Sequence, residues 1–298
     1  MKKLEFEVLA LYAERKENLI PGLQKKGFTS ELIKQTENNL QEKGLLQEQG
    51  ITDKGLAELE PYKVQRAVFL AAGFGSRMVP ITINTPKPLV RVRGKRIIET
   101  LLDAVLAAGI NEIYIVRGYL GEQFELLQKK YPMIQLIDNP EYDGTGTISS
   151  FFYARKLLKG AYVLESDLVV NNPRVIRKYQ YQSGFSGTKT DQTDDWYLKA
   201  EDNGTICEIG VGGEGDNLYK LIGISFWSQT DGEKLAHDIE EAYFSPEGKK
   251  LPMSFVPFRV YKDRYQVSVM PCEQDDVIEI DSFAELQAFD ETYKTNAI

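Results

Sequence analysis

The residues between Leu70 and Pro88 combine glycines and cations at a spacing suited to binding phosphate. The segment reads Leu70-Ala71-Ala72-Gly73-Phe74-Gly75-Ser76-Arg77, and Thr85-Pro86-Lys87-Pro88 follows. Two glycines spaced by one residue let backbone N–H groups converge on an anion, because a residue without a Cβ tolerates positive φ and close approach. Arg77 can bind phosphate oxygens with two N–H donors, and Lys87 adds a compact positive charge. The segment therefore predicts a site for a phosphate-rich ligand.

This pattern resembles the L-A-A-G-x-G-[ST]-R…P-K signature of the nucleotidylyltransferases that make sugar nucleotides and CDP-alcohols. It lacks the G-K-[ST] that closes a P-loop and the third glycine of the dinucleotide fingerprint. The alternative is a plain strand–turn–helix connection with an incidental arginine. The resemblance implies that Arg77 and Lys87 are catalytic. It also implies that the nucleotide is bound by the loop and by the tyrosine after the next strand, namely Leu70, Ala71, Ala72, Gly73, Gly75, Ser76 and Tyr119.

Two acidic segments are candidate metal sites. Glu165-Ser166-Asp167 follows the apolar strand Tyr162-Val163-Leu164, and Ile278-Glu279-Ile280-Asp281-Ser282 lies near the end of the sequence. Carboxylates at strand ends suit Mg²⁺, and the resemblance implies that Asp167 and Asp281 bind it. Each aspartate alone could instead cap a helix, and Asp281 precedes a suitable one. Nucleotidyl transfer requires two anions held in line and neutralised rather than a strong base, so Mg²⁺ is the expected cofactor.

Two tryptophans are candidates for the acceptor site. The segments Asp194-Asp195-Trp196-Tyr197-Leu198 and Gly223-Ile224-Ser225-Phe226-Trp227 resemble E-W-F-L and G-V-S-F-W of bacterial choline-phosphate cytidylyltransferases. That resemblance covers Ala67 to about Phe289. Aromatic faces beside a carboxylate bind quaternary ammonium, so we expect Trp196, Trp227 and Glu165 to bind the acceptor. Core packing is the alternative interpretation for both tryptophans.

Two stretches depart from these relatives. Tyr142-Asp143-Gly144-Thr145-Gly146-Thr147 stands where the relatives often have paired polar residues, and Pro252-Met253-Ser254-Phe255 stands where they tend to have a Trp followed by an acid. The predicted reaction is cytidylyl transfer from CTP to phosphocholine or a related amino-alcohol phosphate, with release of pyrophosphate. The alternatives are a sugar-1-phosphate nucleotidylyltransferase using UTP or dTTP, and a ligand-sensing transcriptional regulator without turnover.

Strands and helices alternate from Lys63 onward. The strands are expected at 67–70, 113–116, 134–137 and 162–164, and the intervening helices at 96–106, 123–130 and 149–158. This alternation predicts an α/β fold with a doubly wound, mostly parallel sheet. Ligands of such sheets bind beyond the carboxyl ends of the strands, where the glycine loop and Asp167 would both lie. The glycine-rich stretch 210–215 is expected to be a flexible loop.

Residues 1–62 differ in pattern and predict a small separate domain before a nucleotidylyltransferase domain at 63–298. After a break at Pro21-Gly22, a helix is expected from Thr29 or Ser30 to Leu40. The sequence L-x-x-K-G-L-L…I-T-x-K-G that ends this region resembles the winged helix of MarR-like regulators. DNA binding is one interpretation, and a regulatory or oligomerisation module is the other. The would-be reading helix carries Lys34 against Glu31 and Glu37, which equips it poorly for duplex DNA.

Composition excludes several other classes of protein. A net charge of −8 over 298 residues argues against a dedicated binder of nucleic acid or anionic membranes. One histidine, His237, disfavours His-based zinc sites and Ser–His relays. Cys207 and Cys272 match no metal spacing and are expected to be reduced thiols. The absence of a signal-peptide pattern or a membrane-spanning apolar stretch predicts a cytoplasmic protein, and the sequence leaves a homodimer open.

Overall fold

The computed structural model describes residues 1–14, 19–25, 27–48 and 50–294. The chain divides into two compact units, one formed by residues 1–64 with 178–181 and the other by residues 65–177 with 182–298. The domain boundary predicted after residue 62 lies near the end of the first stretch. Parts of that predicted domain, at 15–18, 26 and 49, lie outside the described residues.

The described part of the first unit is mainly helical and contains one short hairpin. Its elements are α1 (Lys3–Ala13), α2 (Leu19–Lys25), α3 (Ser30–Glu42), β1 (Leu46–Gln47), β2 (Gly50–Ile51) and α4 (Asp53–Leu59). Thr29 caps α3 by accepting a hydrogen bond from the N–H of Leu32. The break predicted at Pro21-Gly22 is wrong, because both residues lie in α2. Proline is tolerated there, since the first turn of a helix leaves its N–H groups without a helical acceptor.

The core of the first unit includes a residue from far along the sequence. Phe6, Ile33 and Leu59 are fully buried, and Tyr179 joins the same cluster at 3% exposure. Nearby, the rings of Tyr62 and Tyr181 stack with their centroids 5.6 Å apart. Residues 178–181 therefore contribute to the packing of this unit, although the chain on both sides of them belongs to the second unit.

The second unit is built around a seven-stranded sheet in the described part of the chain. In chain order its strands are β3 (Arg66–Ala71), β6 (Glu112–Arg117), β7 (Ile134–Asp138), β8 (Ala161–Glu165), β10 (Gly184–Ala200), β11 (Ile206–Trp227) and β12 (Ser268–Cys272). Their spatial order is β12-β10-β11-β8-β3-β6-β7. Strands β8, β3, β6 and β7 run parallel to one another, and β11 runs antiparallel to both of its neighbours. The predicted α/β fold with a mostly parallel sheet is confirmed.

Besides short 3-10 and π-helical turns, the described part of this unit contains five α-helices and two small ribbons. The helices are α5 (Ile97–Ala107), α6 (Glu125–Lys130), α7 (Ile148–Ala154), α8 (Gln229–Tyr243) and α9 (Phe283–Phe289). The ribbons pair β4 (Arg91–Val92) with β5 (Lys95–Arg96), and β9 (Leu168–Val170) with β13 (Val277–Glu279). Among the described helices, none combines the length and apolarity needed to cross a membrane.

The glycine-rich stretch 210–215 is not the flexible loop that its composition predicts. It lies within β11 and pairs with β10, with Gly210 opposite Tyr197 and Gly213 opposite Thr193. A Cβ added at Gly210 or Gly213 would lie 2.7 Å or 2.9 Å from the ring of Tyr197. The missing side chains therefore make room for an aromatic ring across the hairpin, which a count of glycines cannot indicate.

Candidate active site

A cleft of about 660 Å³ contains most of the residues that the sequence singled out. Its walls come from the loop after β3, the end of β8, the hairpin of β10 and β11, and the segment after α8. The lining residues that carry polar or aromatic groups include Arg77, Lys87, Glu165, Ser166, Asp167, Asp195, Trp196, Lys250, Ser254, Glu279 and Asp281. The cleft thus lies where a parallel sheet is expected to bind its ligand.

The glycine loop adopts a conformation that requires glycine. Gly75 has a φ of +69°, and a Cβ there would lie 3.0 Å from the Cβ of Lys87. Leu70, Ala71, Ala72, Gly73 and Gly75 all line the cleft. The structure thereby brings the loop directly against the stem of the lysine that sequence analysis paired with it.

Two of the predicted nucleotide-binding residues, Ser76 and Tyr119, are not among the lining residues of the cleft. Ser76 begins a 3-10 turn, Ser76–Met78, that also carries Arg77. Tyr119 holds the segment that follows the glycine loop, since its hydroxyl donates to the carbonyls of Thr82 (3.0 Å) and Ile83 (2.8 Å). Its own N–H donates to the carbonyl of Ala72 at 3.0 Å. In this structure Tyr119 therefore supports the loop instead of facing the cleft.

The predicted cations and metal-binding aspartates meet in one ion cluster. The Nζ of Lys87 lies 2.7 Å from Asp167 Oδ2 and 2.6 Å from Asp281 Oδ1. Arg77 Nη2 lies 2.7 Å from Asp281 Oδ2, and 70% of the Arg77 side chain is exposed. Burial disfavours the charge of Lys87, but the two carboxylates outweigh it and hold the pKa of Lys87 above its usual range.

Asp281 is available for this cluster because its neighbour caps the helix. The hydroxyl of Ser282 accepts a hydrogen bond from the N–H of Glu285, and the Glu285 carboxylate accepts from the N–H groups of Ser282 and Asp281. This reciprocal capping box satisfies the start of α9 without the carboxylate of Asp281. The alternative reading of Asp281 as a helix cap is therefore wrong.

Sequence analysis missed a further acidic residue of the site, Glu279, beside Glu165, Asp167 and Asp281. Carboxylate oxygens of Glu165, Asp167 and Glu279 lie within 4.8 Å of one another. The pairing of β13 with β9 and the hydrogen bond from Ile280 N–H to the Asp167 carbonyl (3.1 Å) bring the two acidic segments together. The available signal was the two-residue spacing of Glu279 and Asp281, which places side chains on one face of an extended strand.

The three neighbouring carboxylates of Glu165, Asp167 and Glu279 suit a divalent cation. Burial, with Asp167 and Glu279 nearby, raises the pKa of Glu165 to about 8, and burial with Asp167 and Asp281 raises that of Glu279 to about 7. Asp167 Oδ1 is buried and has no hydrogen-bond partner among the described residues. A hard cation bound to these oxygens would satisfy that atom and favour the ionised carboxylates.

The predicted acceptor residues separate in the structure. Trp196 and Glu165 line the cleft, and the Trp196 ring packs at 5.9 Å against Phe255. Glu165 fits there because Gly223 faces it, since a Cβ on Gly223 would lie 2.6 Å from the Glu165 carboxylate. The guanidinium of Arg259 lies 3.8 Å from the centre of the Phe255 ring.

Trp227, in contrast, is fully buried and does not line the cleft. Its Nε1 donates to Ser225 Oγ at 3.2 Å, and its ring packs against Phe185 and Tyr265. Strand β11 is antiparallel to β8, so its last residue pairs with Ala161 at the start of β8, while the cleft lies at the end of β8. This position does not agree with the prediction that Trp227 contacts the acceptor.

Comparison with known proteins identifies the family to which this fold and cleft belong. Residues 66–192 match the nucleotidyl transferase family, and the chain belongs to that family. It is 36% identical to 2-aminoethylphosphonate cytidylyltransferase of Lancefieldella rimae, over 76% of this chain and 92% of that protein. It is 32% identical to choline-phosphate cytidylyltransferase of Streptococcus pneumoniae, over 77% of this chain and 98% of that protein.

A solved structure agrees with this assignment. The fold matches that of CTP:phosphocholine cytidylyltransferase from Streptococcus pneumoniae with a TM-score of 0.71 and 32% identity, covering 78% of this chain and 100% of that chain. This chain therefore has a nucleotidyltransferase fold, and the names of its two sequence relatives differ in the acceptor.

Proposed function

We propose that this protein transfers the cytidylyl group of CTP to phosphocholine or a related amino-alcohol phosphate or phosphonate, releasing pyrophosphate. The observation that carries the proposal is the ion cluster of Arg77, Lys87, Asp167 and Asp281, which shares one cleft with Trp196 and Glu165. The relatives named as cytidylyltransferases support CTP as the donor over UTP or dTTP.

In the proposed reaction an oxygen of the acceptor phosphate attacks the α-phosphorus of CTP, and the bond to the β-phosphate breaks. The attacking oxygen is already ionised, so the protein acts by holding the two anions in line. The glycine loop and Arg77 bind the triphosphate, and Lys87 stabilises charge at the α-phosphate. Asp167 and Asp281, with Glu279 beside them, would hold Mg²⁺, which would neutralise charge on the triphosphate.

The acceptor side favours a cationic alcohol over a sugar. The partly exposed ring of Trp196 offers a π-face to an ammonium group. The carboxyl of Glu165 has no hydrogen bond or ion pair among the described residues, and it lies in the cleft. A primary ammonium can donate hydrogen bonds to that carboxyl, so 2-aminoethylphosphonate is a second candidate acceptor beside phosphocholine. Transfer to either acceptor requires catalysis. The ion cluster of cations and carboxylates supports catalysis over a purely ligand-sensing role.

A pyrophosphate-release panel tests the proposal. CTP, UTP and dTTP would each be combined with phosphocholine, ethanolamine phosphate, 2-aminoethylphosphonate and glucose-1-phosphate in the presence of Mg²⁺. We expect release with CTP and a cationic acceptor. Pyrophosphate release only with glucose-1-phosphate would show that the protein is a sugar-1-phosphate nucleotidylyltransferase. No release with any pair of substrates would favour the ligand-sensing regulator.

We expect Arg77→Lys to reduce turnover by about one to three orders of magnitude. Lysine keeps the charge but cannot bind phosphate oxygens with two parallel N–H donors. Because the Arg77 side chain is largely exposed, the melting temperature should stay within about 2 °C of the unmodified protein. Steady-state kinetics with thermal unfolding checks this, and wild-type turnover in the variant would exclude a role of Arg77 in phosphate binding.

We expect Trp196→Ala to weaken acceptor binding selectively. Removing one π-face from an ammonium group costs about 0.5–2 kcal/mol, so the KM for the acceptor should rise more than the KM for CTP. Trp196→Phe keeps an aromatic face and serves as the matched control. Equal increases of both KM values in Trp196→Ala would show that the ring supports the cleft rather than the acceptor.

We assign residues 1–62 to a winged-helix-type module with a regulatory or oligomerisation role. Within the described residues of this region, three helices, a hairpin and a fourth helix follow one another as in that motif. Helix α3 carries one cation, Lys34, and acids that include Glu31 and Glu37, and Glu37 accepts a hydrogen bond from the Tyr12 hydroxyl, so the helix offers little to phosphates. Fluorescence anisotropy with a mixed-sequence duplex checks this. Micromolar binding with a steep salt dependence would indicate a DNA-binding module instead.

A further inference from the structure

A second network of ionisable side chains lies outside the ion cluster. The carboxylate of Glu141, in the loop after β7, accepts hydrogen bonds from the hydroxyls of Tyr153 (3.2 Å) and Tyr243 and from Lys249 Nζ (2.5 Å). These donors come from α7, from the last residue of α8 and from the segment beyond α8. The hydrogen bonds from Lys249 and Tyr243 lower the pKa of Glu141, so this carboxylate is charged at neutral pH.

The segment of residues 249–254, which we call the strap, forms one wall of the cleft. Its lining residues are Lys250, Pro252, Met253 and Ser254, and the loop 141–147 contributes Gly146 and Thr147 to the adjoining wall. Hydrogen bonds join the two segments: from Gly146 N–H to the Lys249 carbonyl (2.7 Å) and from Met253 N–H to Thr147 Oγ1 (3.0 Å). The wall of the cleft is therefore a strap fastened to a loop.

Close packing at Gly146 also holds the strap against the loop 141–147. A Cβ on Gly146 would lie 2.5 Å from the carbonyl oxygen of Leu251 and 2.7 Å from that of Lys250. The backbone of the strap therefore rests directly on the loop. Glu141 itself is not among the residues that line the cleft, so it can influence a ligand only through the segments that it holds.

The strap also leads directly to the acceptor side of the cleft. Phe255 follows the last residue of the strap, and its ring packs against Trp196. A strap that moves away from the loop would shift Phe255 and remove the support of the Trp196 ring. The acceptor, rather than CTP, is then the substrate whose binding depends on the fastening.

We propose that Glu141 is a positioning residue whose carboxylate latches the strap 249–254 onto the loop 141–147 and thereby sets the affinity of the cleft for the acceptor. The reference to the acceptor rests on the proposed function, whereas the latch itself does not. Hydrogen bonds to a charged acceptor are about twice as strong as neutral ones, so loss of the charge at this position weakens the latch while the loop stays in place.

Glu141→Gln in the full-length protein tests the latch. We expect amide hydrogen exchange in peptides covering 249–255 to become faster by about three- to tenfold, because the strap opens more often. We expect the acceptor KM to rise by about three- to tenfold with kcat nearly unchanged. Glu240→Gln is the matched control, since Glu240 of α8 pairs with Arg155 (2.8 Å), the residue after α7, and does not line the cleft.

A charge swap separates the latch from a merely structural role. Glu141→Lys alone should loosen the strap further, and Glu141→Lys combined with Lys249→Glu should restore much of the slow exchange. Exchange in Glu141→Gln equal to that in Glu240→Gln, or no recovery in the swapped pair, would overturn the proposal. A protein that fails the pyrophosphate-release panel would refute the proposed function, while the exchange measurements would still decide on the latch.

Discussion

Asp167→Asn should reduce turnover by at least about 10³-fold at saturating Mg²⁺ and CTP. The amide keeps the size of the carboxylate and still accepts a hydrogen bond from Lys87, so the loop after β8 should keep its fold. It removes, however, the charge of the group whose Oδ1 is buried without a hydrogen-bond partner among the described residues. We therefore expect the loss in metal binding and in the chemical step rather than in folding.

A direct measurement of metal binding accompanies the kinetics of Asp167→Asn. Mn²⁺ titrated into the protein with a non-hydrolysable CTP analogue, followed by paramagnetic resonance, should bind at least about tenfold more weakly in the variant. Asp216→Asn, at an exposed position of β11, is the control for removal of one negative charge. Unchanged Mn²⁺ affinity together with near-normal turnover would exclude Asp167 as a metal ligand.

The glycine loop and its cations could be recognised from the sequence because their chemistry is local. Gly75 is needed for a positive φ within the loop, and Arg77 follows it by two residues. The link to Lys87 is also short in sequence, so a phosphate-binding segment is visible as a continuous pattern. The resemblance to a known family assigned Asp281, nearly two hundred residues away, to the metal site, but its direct contact with Arg77 and Lys87 was not predicted.

What the sequence did not indicate depends on long-range pairing. Trp227 shares its strand and its face with Ser225, which lines the cleft, yet the antiparallel direction of β11 places Trp227 opposite Ala161 at the start of β8, beyond the residues that line the cleft. Periodicity alone cannot supply that direction. Glu279 was overlooked for a related reason, because its role depends on the pairing of β13 with β9. The packing of residues 178–181 with the first unit likewise has no local pattern.

Lys87→Met should lower both turnover and stability, and Mg²⁺ should restore part of the stability. Methionine preserves the stem that packs against Gly75 but removes the ammonium between Asp167 and Asp281. Two carboxylates that lose a buried cation repel each other, which should destabilise the ligand-free protein by about 3 kcal/mol at neutral pH. Turnover should fall by about 10²- to 10³-fold, because the charge at the α-phosphate is lost.

The response to Mg²⁺ distinguishes this explanation from simple damage to the core. A divalent cation bound by Asp167 and Asp281 replaces the missing charge, so Mg²⁺ should raise the melting temperature of Lys87→Met more than that of the unmodified protein. Lys95→Met, which removes a surface lysine paired with Asp103, is the control for loss of an ion pair and should respond to Mg²⁺ as the unmodified protein does. Equal stabilisation of all three proteins by Mg²⁺, or wild-type turnover in Lys87→Met, would show that Lys87 does not balance the metal-binding carboxylates, and its place in the reaction would have to be reassigned.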